Sequence, residues 1–209
     1  IFAHKSTEMD LQRVKHDISN GGYTIFEADL SEHTLAQPKE RCICSRTEFF
    51  PAKIGRRENK QEDTTIRGDR ILWINASHEV NITYLTFMER FRKSLNQNLF
   101  LGLFYFECHY AIYPQGTFYW KLLDSLRGKR NRVLSSVHYL NEGWESADGE
   151  ELQIFDQSGA YVRGTVLPTL GMMVLFLSET VPHRISPTHQ PRYSISGWFR
   201  LRGSTPCFT

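Results

Sequence analysis

The chain has 209 residues, a net charge of +2 at pH 7 and a pI of about 8.4. This length suits one domain with a single large core, and 40% hydrophobic residues indicate a globular protein rather than a disordered one. The nearly balanced charge argues against a nucleic-acid partner, and the longest apolar run, Met172 to Leu177, is too short to cross a membrane.

The N-terminal half is predicted to be mainly helical. One apolar stripe predicts a helix over residues 8–20, and a strand over 23–28 follows it. A second helix is predicted to begin after Ser31 as N-cap, with Pro38 interrupting or bending it. Residues 51–70 are polar and predict a mobile loop before a strand at 71–74. The clearest amphipathic pattern predicts a helix over 80–97, whose apolar stripe is Val80, Tyr84, Phe87, Phe91 and Leu95.

From Leu101 onward the pattern changes to short β-rich segments separated by Gly, Asn, Asp and Pro. They span residues 103–113, 133–140, 152–155, 174–177 and 192–200. Helices followed by strands predict an α+β class in which the N-terminal helices pack on one side of a β-sandwich or barrel. A jelly roll fits this pattern, although strand number alone does not separate it from other sandwiches. We expect one domain over 1–209, with a helical support region and loop over 1–100 and a jelly-roll core over 101–209.

The last predicted strand presents an unusual set of side chains on one face. Because side chains alternate along a strand, Arg192, Ser194, Ser196 and Trp198 lie on the same side. One cation, two hydroxyls and a large apolar wall suit a dicarboxylate held at one end. The same pattern is also compatible with an exposed strand that carries a surface Arg and a half-buried Trp.

Asp124, His183 and Arg192 have the order and spacing of a known catalytic site. His183 stands nine positions before Arg192, and Asp124 stands 59 positions before His183. The pattern resembles the Fe(II)/2-oxoglutarate dioxygenases, most closely the prolyl-hydroxylase branch, in which a His-x-Asp pair, a distant His and an Arg follow one another. The resemblance covers most of the chain, in segments 66–69 with Trp73, 107–111, 113–116, 136–141, 175–183 and 192–199.

The resemblance implies a double-stranded β-helix, which is a jelly roll, and a residue-by-residue role for the site. Asp124 and His183 would bind Fe(II), and Arg192 would bind the far carboxylate of the cosubstrate 2-oxoglutarate. Tyr139 would donate a phenolic hydrogen bond to that carboxylate. The rest of the implied cosubstrate pocket consists of Tyr113 near the metal-chelating end, Ser194 in the lining and Trp198 as a wall.

The resemblance also implies partners. O2 would be the second cosubstrate, ascorbate the reductant, and a prolyl or similar residue in a protein or peptide the substrate. Nothing in the sequence specifies an oligomeric state. The four cysteines form neither a Cys-x-x-Cys pair nor a disulfide-dense pattern, which favours a reducing, cytoplasmic location.

One residue departs from the pattern at a position that matters for metal binding. Leu122 occupies the place of the first histidine, and its side chain has no lone pair to offer a metal. The loss of a ligand is expected to weaken metal binding by at least about 10–100-fold. His109 shares strand parity with Tyr113 and is the alternative ligand, whereas His138 should face the opposite way and His189 should lie in an exposed loop.

Three interpretations remain open from the sequence. The first is a 2-oxoglutarate dioxygenase of the prolyl-hydroxylase type, with its activity reduced by Leu122. The second is a catalytically silent jelly-roll module that keeps the 2-oxoglutarate pocket for binding or regulation. The third is a carbohydrate- or small-acid-binding jelly roll that only looks like an oxygenase. The basic segment 127–132 is predicted to be a solvated loop, with an acidic protein segment or a nucleic acid as alternative contacts.

Overall fold

A computed structural model describes residues 10–28, 30–52, 68–124, 131–149 and 151–202 of the chain. Two antiparallel β-sheets of seven and four strands face each other, and helices cover the outer face of the larger sheet. The predicted α+β class and the jelly roll with N-terminal helices on one side are therefore confirmed. No helix within the described ranges is long and apolar enough to cross a lipid bilayer.

Within the described ranges, three short strands lie between the three α-helices before residue 100, and eight strands follow the last of these helices. The helices are α1 (Leu11–Gly21), α2 (Glu32–Cys44) and α3 (Glu79–Leu99). The strands are β1 (Tyr23–Glu27), β2 (Phe50–Pro51), β3 (Arg70–Trp73), β4 (Tyr105–Tyr113), β5 (Tyr119–Leu122), β6 (Arg132–Tyr139), β7 (Leu152–Phe155), β8 (Val162–Val166), β9 (Met172–Leu177), β10 (His183–Ile185) and β11 (Arg192–Arg200). The larger sheet has the order β1-β9-β6-β11-β4-β3-β2, and the smaller one has the order β5-β10-β7-β8.

The second helix begins as predicted but does not end where proline suggested. The Ser31 hydroxyl accepts a hydrogen bond from the Thr34 amide at 3.2 Å, which caps the first turn. The helix then continues through Pro38, so the predicted interruption was wrong, while a bend at Pro38 stays a prediction. Proline removes one intrahelical hydrogen bond, and burial of Leu35 and Cys42 on either side of it anchors both halves of the helix to the core.

Two apolar cores lie on the two sides of the larger sheet. The outer core joins the helices to the sheet, and α3 contributes Tyr84, Met88, Phe91 and Leu95 to it. The inner core fills the space between the two sheets and includes Tyr113, Tyr139, Ile154, Phe176 and Ile185. Because side chains alternate along a strand, β4 supplies the outer core with Cys108, Tyr110 and Ile112 and the inner core with Ala111 and Tyr113.

Several strands were not predicted, and some predictions fall outside the described residues. The strands β5, β8 and β10 were missed. In the predicted 51–70 loop, the residues at both ends pair as β2 and β3, and 53–67 lie outside the described ranges. Of the basic segment, only positions 131 and 132 are described, and Arg132 begins β6. Cys42, Cys44 and Cys108 are free thiols, as expected.

His138 gives the outer core a dependence on pH. Its ring is fully buried, 5.7 Å from the ring of Tyr84 on α3, and burial lowers the pKa of His138 to about 4. The unfolded chain takes up this proton as the pH falls through about 6.5, whereas the folded chain does so only near 4. The contribution of neutral His138 to the free energy of unfolding is therefore fully present above about pH 6.5, and it is lost as the pH falls towards 4.

We expect His138→Phe to remove this acid-dependent loss. In the unmodified chain, this group alone should lower the free energy of unfolding by about 3 kcal/mol between pH 6.5 and pH 4. Urea denaturation at pH 7, 5.5 and 4 measures the loss in both proteins. Parallel pH dependences in the two proteins would contradict the assignment.

Candidate active site

Two short strands bring the two halves of the predicted metal site together. In the β5–β10 ladder, His183 stands directly opposite Leu122, and Asp124 follows two residues after Leu122. The Asp124 Oδ1 atom lies 3.7 Å from the His183 Nε2 atom. Bonds of about 2 Å from one ion to both atoms are compatible with this separation. The expected convergence of Asp124 and His183 is thus observed, while their role as metal ligands stays a prediction.

His183 is held in an orientation that leaves one ring nitrogen for a metal. The residue is buried, and its ring packs against Phe176 with centroids 4.6 Å apart. Its Nδ1 atom lies 3.3 Å from the carbonyl oxygen of Val181. Because a carbonyl can only accept a hydrogen bond, Nδ1 carries the hydrogen in this contact. In the neutral ring, Nε2 then carries the lone pair on the side of Asp124, which is the arrangement typical of metal-binding histidines.

The Asp124 carboxylate is kept charged by its neighbours. Burial raises the pKa of Asp124, but His183, hydrogen bonds from Ser135 and Trp198, and the Arg132 cation together lower it below its usual value. The carboxylate is therefore the dominant form at neutral pH, as a metal ligand requires.

The predicted carboxylate-binding end is assembled from three strands. Arg192 is only 1% exposed, and its guanidinium carbon lies 4.1 Å from the ring centroid of Tyr113 and 5.4 Å from that of Tyr139. In the ladders of β11, Arg192 stands opposite Tyr113 on β4, and Ser194 stands opposite Tyr139 on β6. The Ser194 hydroxyl is buried and has no hydrogen-bond partner within the described ranges. A buried cation beside an unsatisfied hydroxyl suits an anionic ligand that both can contact.

Trp198 has a contact that the sequence did not indicate. Its indole Nε1–H donates a hydrogen bond of 3.1 Å to Asp124 Oδ2. The guanidinium of Arg132 stacks over the indole at 3.7 Å and also donates to Glu107 Oε1 at 3.1 Å. The surroundings of the site therefore include three residues that the sequence did not assign to it: Arg132, Glu107 and Ser135. No motif or spacing in the sequence indicates them. Trp198 as a wall of the cosubstrate pocket stays a prediction.

The other histidines differ in where they lie. His109 is buried between Trp73 and Trp198, with ring centroids 5.2 Å and 5.5 Å away. Within the described part of the chain, no three His, Cys, Asp or Glu side chains converge as a metal site, so His109 does not complete a triad with Asp124 and His183. His138 faces the helices and His189 is exposed, as predicted.

The site therefore fits its predicted occupants in part. Asp124 and His183 fit a metal ion, and Arg192 with Ser194 and Tyr139 fits a carboxylate. Position 122 lies opposite His183 and hence on the same face of the sheet, where a leucine cannot donate electrons to a metal.

Comparisons with known proteins agree with this geometry. Residues 108–200, which include all three predicted catalytic residues, match the family described as the 2OG-Fe(II) oxygenase superfamily. A Pseudomonas putida prolyl-4-hydroxylase of known crystal structure has 38% sequence identity to this chain. The two structures superpose with a TM-score of 0.82, over 92% of this chain and 100% of that one. These similarities overturn the third interpretation, an unrelated jelly roll that only looks like an oxygenase.

Two more distant relatives are prolyl hydroxylases of animals. A Trichoplax adhaerens prolyl hydroxylase, solved in complex with a peptide from the oxygen degradation domain of hypoxia inducible factor, has 23% identity and a TM-score of 0.80 over 91% of this chain and 88% of that one. The hypoxia-inducible factor prolyl hydroxylase of Caenorhabditis elegans is 25% identical over 205 residues. That match covers 90% of this chain, which spans 28% of the length of the curated relative.

Arg192→Lys and Arg192→Ala should weaken the binding of 2-oxoglutarate. Lysine keeps the charge but cannot form two parallel hydrogen bonds, and alanine removes both. Loss of charge-assisted hydrogen bonds worth about 1.5–3 kcal/mol predicts roughly a 10–100-fold weaker affinity for Arg192→Ala, with Arg192→Lys in between. Isothermal calorimetry measures the affinity.

Arg184→Lys is the matched control for these variants. Arg184 neighbours His183 on β10 but points away from it, and it donates to Gln153 Oε1 at 2.6 Å. Its substitution should leave the 2-oxoglutarate affinity within about twofold, since it breaks only a partly buried contact. Unchanged affinity in Arg192→Ala would show that this residue does not hold the cosubstrate.

Proposed function

Because the chain belongs to the 2OG-Fe(II) oxygenase superfamily, in its prolyl-hydroxylase-like branch, we propose that it binds 2-oxoglutarate at Arg192 and a metal at Asp124 and His183, and that it acts on a prolyl or similar residue of a protein or peptide. The observation that carries the proposal is the approach of Asp124 Oδ1 and His183 Nε2 to 3.7 Å, in the same interior that contains the buried Arg192. We propose one domain over 1–209, with the support region and core bounds given above.

The carboxylate-binding half of the pocket supports a dicarboxylate cosubstrate. Arg192 lies between two tyrosine rings, so its planar guanidinium has little freedom to turn. This fixed plane presents parallel N–H groups to a carboxylate. The Ser194 hydroxyl and the Tyr139 phenol are the residues we assign to the remaining carboxylate lone pairs. The Tyr113 hydroxyl is assigned to the metal-chelating end of the cosubstrate.

The charges of the proposed site balance. One metal dication and the Arg192 cation provide three positive charges, while Asp124 and a bound dicarboxylate provide three negative ones. A buried site tolerates such a set because each charge has an opposite neighbour, whereas any one of them alone would be costly to bury. This balance favours a ligand that carries two carboxylates and disfavours a neutral sugar.

The metal-binding half is incomplete, and this sets the expected activity. Fe(II), when bound with 2-oxoglutarate and O2, supplies the oxidation that hydroxylates a C–H bond, with ascorbate as the proposed reductant. Asp124 and His183 provide the metal with two ligands, and Leu122 provides none. Two ligands hold a divalent ion weakly, so we propose a slow oxygenase in the chain as it stands.

The substrate class rests on what the relatives act on. The Trichoplax protein was solved with a peptide, and the nematode relative acts on hypoxia-inducible factor, as its name states. Both support a prolyl residue within a peptide segment as the substrate. We keep a cytoplasmic location as part of the proposal, since the three described cysteines are free thiols.

Leu122 also supports a second candidate, a silent binding module. Such a protein would bind 2-oxoglutarate through Arg192 and the surrounding hydroxyls without turning it over. The carboxylate-binding residues lie on β4, β6 and β11, whereas Leu122 lies on β5 of the other sheet. Binding of 2-oxoglutarate and catalysis can therefore be lost separately. The slow oxygenase and the silent module differ in the turnover expected of the Leu122→His variant.

We expect Leu122→His to raise the rate of 2-oxoglutarate turnover by at least about tenfold. The added imidazole would share a sheet face with His183 and supply the third ligand, which is worth at least about 10–100-fold in metal affinity or activity. The measurement is succinate formed from 2-oxoglutarate with Fe(II), O2 and ascorbate, with and without a proline-containing peptide.

Leu123→His is the matched control, because it places the same side chain one residue later along the chain. It should leave turnover at the level of the unmodified chain. Equal robust turnover in the unmodified chain and in Leu122→His would show that position 122 is not at the metal. Inactivity of both, with 2-oxoglutarate binding intact, would favour the silent module.

A further inference from the structure

The two oxygens of the Asp124 carboxylate have different neighbours. Oδ2 accepts the 3.1 Å hydrogen bond from the indole Nε1–H of Trp198. Oδ1 lies instead on the side of His183, 3.7 Å from Nε2. Oδ2 is bonded to the Trp198 N–H, and Oδ1 is the oxygen recorded next to His183, while a further hydrogen bond joins the carboxylate to Ser135.

The indole is itself fixed by a chain of charged contacts. The guanidinium of Arg132 lies 3.7 Å from the centroid of the Trp198 ring, a short cation–π distance. Arg132 Nε and Nη2 both donate to Glu107 Oε1, at 3.3 Å and 3.1 Å. The buried Glu107 accepts a further bond of 2.6 Å from Arg200 at Oε2. Three strands of the larger sheet thus determine where the indole N–H points.

Asp124 needs such an external constraint more than His183 does. His183 lies in a strand that pairs on both sides, and its Nδ1 is bonded to a backbone carbonyl. Asp124 comes after the last paired residue of β5, so no ladder fixes its backbone. A carboxylate that can rotate presents one or two oxygens to a metal, which changes both coordination number and affinity.

We propose that Trp198 is a positioning residue that makes Asp124 a one-oxygen metal ligand. The inference rests on the proposed metal site and goes beyond it, because it assigns to Trp198 a role towards the metal ligand rather than towards the cosubstrate. Since Leu122 contributes no ligand, the orientation of Asp124 has a larger share in metal binding in this chain than it would in a complete triad.

The test compares Co(II) binding in proteins of residues 1–209 that carry Leu122→His, in which a third ligand strengthens the site. Trp198→Phe keeps an aromatic ring and removes the N–H donor. Trp73→Phe makes the same change in the neighbouring ring, whose centroid lies 6.4 Å from that of Trp198. We expect Trp198→Phe to weaken Co(II) affinity about 10–100-fold, and Trp73→Phe to change it by less than about threefold.

Two further readouts separate positioning from simple packing. The visible absorption of bound Co(II) should change in Trp198→Phe, because a rotated carboxylate alters the coordination number, and it should not change in Trp73→Phe. The affinity of the metal-free protein for 2-oxoglutarate should fall less than the Co(II) affinity, because Arg192 is intact and phenylalanine keeps an aromatic wall at position 198. Loss of 2-oxoglutarate affinity with unchanged Co(II) affinity would make Trp198 a pocket wall and overturn the inference.

Arg132→Gln provides a second variant should Trp198→Phe fail to fold. It keeps the indole N–H and removes the cation above the ring, so Co(II) affinity should fall by about threefold or more. Unaltered Co(II) affinity in both Trp198→Phe and Arg132→Gln, or in the one that folds, overturns the inference and leaves the proposed function standing. Absence of Co(II) binding in the Leu122→His protein itself, with both tryptophans present, overturns the proposed metal site and with it the inference.

Discussion

The register of β11 is the constraint on which both cores and the site depend. This strand pairs along its whole length with β4 and along most of it with β6. Alternation then sends Tyr193, Ile195 and Phe199 into the core beneath the helices, and Arg192 and Trp198 between the sheets. A shift of the strand register by one residue would bury the Arg192 guanidinium among the apolar side chains beneath the helices. It would also remove Tyr193, Ile195 and Phe199 from that core. The packing of both faces therefore favours a single register.

Buried charge in this interior is matched locally rather than avoided. Glu107 is 3% exposed, but two arginines bind its two oxygens. Asp124 accepts a hydrogen bond from Trp198 at Oδ2, has a further one from Ser135, and has His183 beside Oδ1. Each of these groups would be costly to bury alone, and removing one partner would leave the other uncompensated. The polar interior therefore ties the orientation of the Asp124 carboxylate to contacts made by β4, β6 and β11.

The long helix and strands, and the candidate site residues, could be predicted from the sequence. The short strands and the side-chain contacts within the site could not. The stripe of α3 and the alternation of β11 repeat often enough to be recognised. In contrast, β5 and β10 have four and three residues, too few for a period, and β8 is a largely exposed edge strand containing Gly164. The approach of Asp124 to His183 followed from a family pattern, not from periodicity. The Trp198–Asp124 hydrogen bond joins residues 74 positions apart and depends on how the two sheets pack, which no local pattern encodes.

The residue at position 122 matters for the proposed metal site but not for the backbone pairing of β5 with β10. A leucine is well tolerated in a strand, and the β5–β10 pairing that contains it needs only backbone hydrogen bonds. The two cores consist of apolar side chains from the helices and both sheets, unlike small domains whose folding energy comes from a bound ion. Arg192 and Ser194, which we propose to bind the cosubstrate, lie on β11 of the larger sheet, whereas position 122 lies on β5 of the smaller one. The proposed function thus divides into cosubstrate binding at β11 and metal binding beside β5 and β10, and a change at position 122 is expected to act on the second part.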